Sequence, residues 1–279
     1  MTNLFRSREG ALADVNVKTQ LTTLGSQTAP VALLVPGDAK FLRAAYVAAV
    51  SSNEAADQYA FLVRLEGPGL TMGDFVFAAG AGGVSVATGG HALVPSQRIP
   101  INIPVISGQE ILIFAEAVGD DMGTYQVGVT LEFGTEAGPE GETKGEITVE
   151  GDITAVDTLT RLTSQGSVTS PSRLTPPDAA MIKRVIVSVG ADGAADGEVT
   201  YILRLSGNAM KNGEQEIIIG AESQIAGQAG SDEGLTTMVP MILDNLDIEV
   251  RSSDTLDISV EMAGVDVGSA TAVVTVIFQ

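Results

Sequence analysis

The stretch FLVRLEG at 61–67 returns as YILRLSG at 201–207, and the match extends well beyond these residues. At an offset of 140, Leu34, Pro36, Asp38 and Ala39 fall on Leu174, Pro176, Asp178 and Ala179, Arg43 falls on Lys183, and Arg64, Leu65 and Gly67 fall on Arg204, Leu205 and Gly207. Toward the end of each half the offset becomes 145. There 116–133 lies on 261–278, with Glu116, Gly119, Asp121, Gly123, Val129, Thr130 and Phe133 matched by Glu261, Gly264, Asp266, Gly268, Val274, Thr275 and Phe278. A period this long exceeds the roughly 20–50 residues of a solenoid or propeller unit, so it marks a duplicated domain. The five-residue slippage belongs in loops, where length changes are tolerated.

Each copy reads as strands. Segments such as 41–50, 59–66, 74–79, 110–118 and 124–133 are short, rich in Val, Ile, Phe and Tyr, and bounded by Gly, Pro, Asp or Asn. The same character returns in 182–189, 198–206, 214–220, 255–263 and 270–278. Two pieces, Glu9 to Asp14 and Met238 to Leu246, have the composition for a turn or two of helix. The turns GDDMG (119–123) and GVDVG (264–268) suit antiparallel hairpins, because Gly and Asp accept the backbone that tight turns demand. The expected fold is all-β: two tandem homologous antiparallel β-sandwiches, jelly-roll-like, with little helix. An immunoglobulin-like strand order is equally compatible with the strand spacing. The expected organisation is an N-terminal arm over 1–16, a first sandwich over 17–134, a linker over 135–146 that is rich in Gly, Glu and Thr, and a second sandwich over 147–279.

Composition excludes several functions. The chain has no Cys, hence no disulfides, thiolate nucleophile or Cys-ligated zinc. Its 35 acidic residues outweigh 15 basic ones, and the imbalance is −7 over 1–140 and −13 over 141–279. A field of that sign repels phosphate, which argues against sequence-specific nucleic-acid binding. No apolar run approaches the roughly 18–20 residues of a membrane-spanning helix, and the start MTNLFRSREGALADV lacks the apolar core of a secretory signal.

No motif for chemistry stands out. His91 is the one histidine; Ser96 and Asp74 are near it in sequence, but no Gly-x-Ser-x-Gly elbow occurs and the second copy has no matching His. The Gly pairs within 78–90 lack the Lys-Ser/Thr ending of a phosphate loop. Asp192, Asp196 and Glu198 offer hard oxygen ligands for a cation, without the spacing of an EF-hand. No cofactor is indicated, and the chain reads as non-catalytic. Arg64 and Arg204, each mid-strand opposite the core-facing Val63/Leu65 and Leu203/Leu205, are candidates for an interface or structural anchor making the same contact in both copies. Arg6 and Arg8 stand out in the arm of an acidic chain.

A duplicated sandwich presents two similar sets of edges, so three chains can imitate a six-fold tile. In its tandem copies, strand number and short N-terminal arm the chain resembles the double jelly-roll major capsid proteins of icosahedral viruses. That resemblance implies a structural protein of the virion that partners itself in pseudo-hexameric trimers within a shell. It further implies an arm that carries Arg6 and Arg8 to the inner side, toward neighbouring capsid proteins, an internal membrane or the genome. Two other readings fit the same residues: a tandem module recognising carbohydrate or protein, though Trp is absent, and a non-viral protein forming tubes or layers.

Overall fold

A computed structural model describes the chain except for residues 1–3, 13, 26–32, 53–56, 85–90, 120–123, 168–173, 179–180, 192–196, 225–239 and 266–267. The described residues form strands and turns. Nine strands come from the first half: β1 (Leu4–Leu12), β2 (Thr19–Gln20), β3 (Leu33–Leu34), β4 (Phe41–Ser52), β5 (Asp57–Glu66), β6 (Phe75–Val84), β7 (His91–Pro104), β8 (Glu110–Gly119) and β9 (Thr124–Gly134). Eight come from the second: β10 (Gly145–Ile153), β11 (Thr160–Arg161), β12 (Met181–Ala191), β13 (Gly197–Ser206), β14 (Gln215–Gln224), β15 (Met241–Glu249), β16 (Asp257–Gly264) and β17 (Ala270–Phe278).

The strands pair into four antiparallel sheets with orders β1-β9-β4-β7, β2-β8-β5-β6, β10-β17-β12-β15 and β11-β16-β13-β14, and β3 adds to β8. The first two orders map strand for strand onto the last two. Apart from β3 and the hairpins β5–β6 and β13–β14, the chain crosses between the two sheets of its half at each connection, which is the jelly-roll order and excludes the immunoglobulin-like one.

The registers of the β5 and β13 ladders agree to the residue. Arg64 lies opposite Phe114 on β8 and Val76 on β6, and Arg204 lies opposite Ser259 on β16 and Glu216 on β14, the offsets 145 and 140 of the sequence match. The bulge between Phe61 and Leu62 recurs between Tyr201 and Ile202, and that between Leu42 and Ala44 recurs between Ile182 and Arg184. Left-handed backbone recurs as well, at Asn16 and Asp157 (φ 55° and 51°) and at Gly67 and Gly207 (φ 116° and 96°). Asn and Asp tolerate the former region, and only glycine takes the latter without strain.

Three expectations are corrected here. Residues 4–12 are not an arm; they are β1, paired along its length with β9. Of the two pieces read as short helix, residues 9–12 lie in β1 and 241–246 in β15, because their apolar residues gain more by completing a sheet than an isolated turn could supply. The segment after Gly134 is also docked: Arg43 Nε donates to Glu136 O, Gly138 N to Asn102 Oδ1, Thr143 Oγ1 to Ile101 O and Gln279 Nε2 to Glu140 O. Among the described residues no helix is long and apolar enough to cross a membrane.

Each half encloses a core by alternation. In β13, Val199, Tyr201, Leu203 and Leu205 are buried, while Thr200, Ile202 and Arg204 lie on the other face. β17 breaks the rule, for all of its residues are buried. The cause is a second covering layer: Ile186, Val273 and Ile277 face away from their own core and join the hydrophobic cluster of the first half. The outer face of β2-β8-β5-β6 is thus stacked on the outer face of β10-β17-β12-β15, giving four sheets in series.

Candidate functional site

The seam between the halves is built from the open edge of β6. An edge strand leaves backbone donors and acceptors unpaired. Here second-half side chains cap them: Ala78 N donates to Thr275 Oγ1 (2.8 Å), Val76 N to Glu146 Oε1 (3.3 Å), and Thr148 Oγ1 donates to Val76 O (2.7 Å). Thr148 and Thr275 also share a hydrogen bond (2.9 Å). At one point the two backbones nearly touch. A Cβ on Gly190 would lie 2.8 Å from Tyr59 O and closer still to Gly82 O, so only glycine fits.

The same surfaces occur again at the two ends of the stack. On the outer face of the first sandwich, Ser7 and Thr130 hold the register positions of Thr148 and Thr275, and their hydroxyls are likewise hydrogen-bonded (2.8 Å). On β14, Glu216 and Ile218 hold the positions of Val76 and Ala78, and Ile218 is 69% exposed. Phe5 and Val50 are exposed on the opposite end. Charges on both end faces are paired locally. Arg204 bonds Glu214, Glu216 and Glu261, and Arg98 bonds Glu132 and Glu140, with Tyr46 Oη donating to Glu132.

Arg64 and Arg204 therefore share a register but not a contact, which corrects the expectation of one common anchor. Arg64 lies in the seam, 11% exposed, and lines a cleft of about 410 Å³ with Met72, Asp74, Val76, Lys144, Glu146 and Gln165. Arg204 lies on the open face. The cause is the stacking itself, which covers one copy of the sheet and leaves the other bare.

Beside the cleft, carboxylates converge from both halves. Glu116 of β8 is buried and accepts the Ser167 N–H of the second half. Burial pushes the Glu116 carboxyl above its ordinary value, against the stabilising Ser167 hydrogen bond and the Arg64 and Lys18 charges. Glu150 of β10 is pushed up to about 7, first by burial, then by repulsion from Asp152 and Glu116; the Gly166 N–H opposes the rise. The sequence marks Glu116 as the counterpart of Glu261 but gives no sign of its approach to Glu150, which is created by the stacking.

The remaining candidates are dispersed. Arg6 and Arg8 sit on the edge strand β1, where each donates to the carbonyl of the preceding residue. His91 opens β7 opposite Ser52, and Asp74 lines the cleft. Glu198 is exposed on β13, while Asp192 and Asp196 lie outside the described residues. Among the described residues no three His, Asp or Glu side chains are grouped to hold a metal ion.

No family model and no curated protein matches this chain. Solved structures of similar fold include a recombinant peptide N-glycanase F, at 12% identity over 99% of this chain and 96% of that one with a TM-score of 0.45. A triple jelly-roll structure of an archaeal virus is similar at 9% identity over 97% of this chain and 58% of that one, with a TM-score of 0.22. A Penaeus vannamei nodavirus structure is similar at 10% identity over 100% and 90%, with a TM-score of 0.20. The resemblance to viral jelly rolls is thus weak and one of fold. The reading of the chain as non-catalytic is corrected: solved structures of an N-glycanase, an enzyme, are similar in fold along nearly the whole chain.

Proposed function

We propose that this chain is a self-assembling structural subunit, of the kind that builds a viral shell, and that copies join by repeating between chains the contact that joins the two sandwiches within one. The observation that carries this reading is the pair of unused surfaces at the ends of the stack. The internal contact is heterologous, so it leaves one surface of each type over: the β1-β9-β4-β7 face with its Ser7–Thr130 hydroxyl pair, and the β14 edge with Glu216 and Ile218. A heterologous contact closes into a ring when its rotation permits and otherwise runs on as a filament. Three chains joined this way place six similar sandwiches around one axis.

Energetics favour covering these faces. Ile218 and Phe5 are large apolar side chains held in water, and apolar area removed from water contributes about 25 cal/mol per Å². The charges around them are already paired within each face, so covering them strands no lone ion. The Gly190 close approach is not repeated, for Val50 stands at its register position on the open face; the contact between chains is the looser of the two.

Sedimentation velocity with electron microscopy tests this. The native protein is expected to run as trimers or larger particles. Ile218→Lys and Thr130→Arg, one on each surface, are each expected to weaken association about tenfold or more with little change in Tm, as for a central interface residue. A native protein that stays monomeric at every salt concentration, or variants that sediment like the native chain, would remove this reading.

A further inference from the structure

The duplication supplies an internal control for Arg64, and the comparison is informative. Its counterpart Arg204 is held by three carboxylates: Glu214 (3.3 Å) and Glu216 (2.9 Å) on Nη1, and Glu261 (2.8 Å) on Nη2. The positions of those three in the first copy are Asp74, Val76 and Glu116. Val76 has no charge to offer. Glu116 is turned onto the Ser167 N–H across the seam. Asp74 lines the cleft but makes no ion pair with Arg64, whose one such partner among the described residues is Glu66, at 3.9 Å. Arg64 Nε and Arg204 Nε are both buried without a hydrogen-bond partner among the described residues, so what separates the two copies is the ion pairs made by the rest of the guanidinium: three carboxylates at 3.3 Å or less on Arg204, and one at 3.9 Å on Arg64. A buried donor left unpaired bears the full desolvation of that group, the more so when it is charged.

The geometry points to the cleft between the sandwiches as a carboxylate-binding site, in which the ligand's carboxylate takes beside Arg64 the place that Glu216 takes beside Arg204. A guanidinium fork matches that group better than it matches any single-atom anion. Lys144, at the cleft rim, is already paired with Glu142 (2.9 Å), and Gln165 donates its amide to Thr148 O, so Arg64 is the cation of the site. Glu116 feels the Arg64 charge from a distance, but neither it nor Glu146, whose Oε1 atoms accept the Ser167 and Val76 N–H groups, makes an ion pair with Arg64. The cleft, about 410 Å³, takes a small organic acid or one acidic side chain supplied by a second copy.

Thermal unfolding in sodium acetate against sodium chloride at matched ionic strength tests the site. Acetate is expected to raise the Tm of the native protein by about 2 °C or more beyond chloride, because a ligand of the folded state alone stabilises it by mass action. Arg64→Gln is expected to lose that increment and Arg204→Gln to keep it. Val76→Glu, which rebuilds the cage of the second copy, is expected to abolish the acetate response by supplying the carboxylate internally. Sedimentation separates the two sources. If the carboxylate comes from a neighbouring chain, acetate and Arg64→Gln both weaken association; if it is a free acid, association is unchanged and only Tm responds. Equal Tm values of the native protein in the two salts, or an acetate increment that survives in Arg64→Gln, would overturn the proposal, whatever the state of assembly.

Discussion

Gly190→Ala is expected to destabilise the protein by about 3 kcal/mol, at the upper end for overpacking a closed interior. The added methyl would meet two carbonyl oxygens, Gly82 O and Tyr59 O, and backbone yields far less readily than a side chain. To admit it, β12 must move away from β5 and β6, which also strains the hydrogen bonds that Thr148 and Thr275 make to β6. The loss of seam contact is therefore shared by both halves. Denaturant unfolding measures the change, and the register-equivalent Val50→Ala, on the open face, is the control expected to change stability by no more than about 0.5 kcal/mol. Equal effects at the two positions would show that the seam is not closed as described.

The second large effect depends on pH. Glu150 has an ordinary carboxyl value of 4.5 when unfolded and about 7 when folded, through burial and the neighbouring Asp152 and Glu116. Between those values the folded chain binds more protons than the unfolded one, so stability falls as pH rises from about 4.5 to 7 and is flat beyond. Glu150→Gln removes the charge while its amide oxygen can still accept the Gly166 N–H. The variant is expected to be more stable than the native protein by about 2 kcal/mol at pH 8, and by little at pH 4, as a buried carboxyl shifted by this much implies. Glu116 shifts in the same direction and steepens the profile. Unfolding curves of both proteins at the two pH values decide it, and a gain of equal size at both would mean that titration of Glu150 is not the cause.

Much of one sandwich was legible in the sequence. Alternation in 198–206 set the inward face of β13, and the match of Arg64 with Arg204 set the register of both copies, because a pleated strand that slips by one residue turns its apolar face to water. The change of offset from 140 to 145 is located by the pairs Val76/Glu216, Pro100/Asp244 and Pro104/Glu249: four extra residues enter between β14 and β15, and the fifth in the bulge of β15 between Asp244 and Ile248. Choosing between jelly-roll and immunoglobulin-like order needed the pairing of strands distant in sequence, which local spacing does not encode. The stacking was hidden too, although one signal pointed to it. The run ATAVVTVIF at 270–278 has no polar alternation beyond two threonines, the pattern of a strand covered on both sides. The chemistry of the seam could not be read because its groups are assigned by the stacking, which makes Arg64 a cleft residue and its twin a surface one.

The double covering of β17 also sets an order of events during synthesis. Of the seventeen strands it leaves the ribosome last, and it is the centre of the sheet that shields the outer face of the first sandwich. Until it arrives, the sheet in which it joins β10 to β12 cannot close over Leu62, Val76 and Ala78 of a sandwich whose own strands are all made. Exposed apolar surface of this kind makes a nascent intermediate prone to association. Translation of the second half is thus the interval in which the chain is most exposed to premature self-contact, and slowing it would be felt as lost yield before any change in the finished fold.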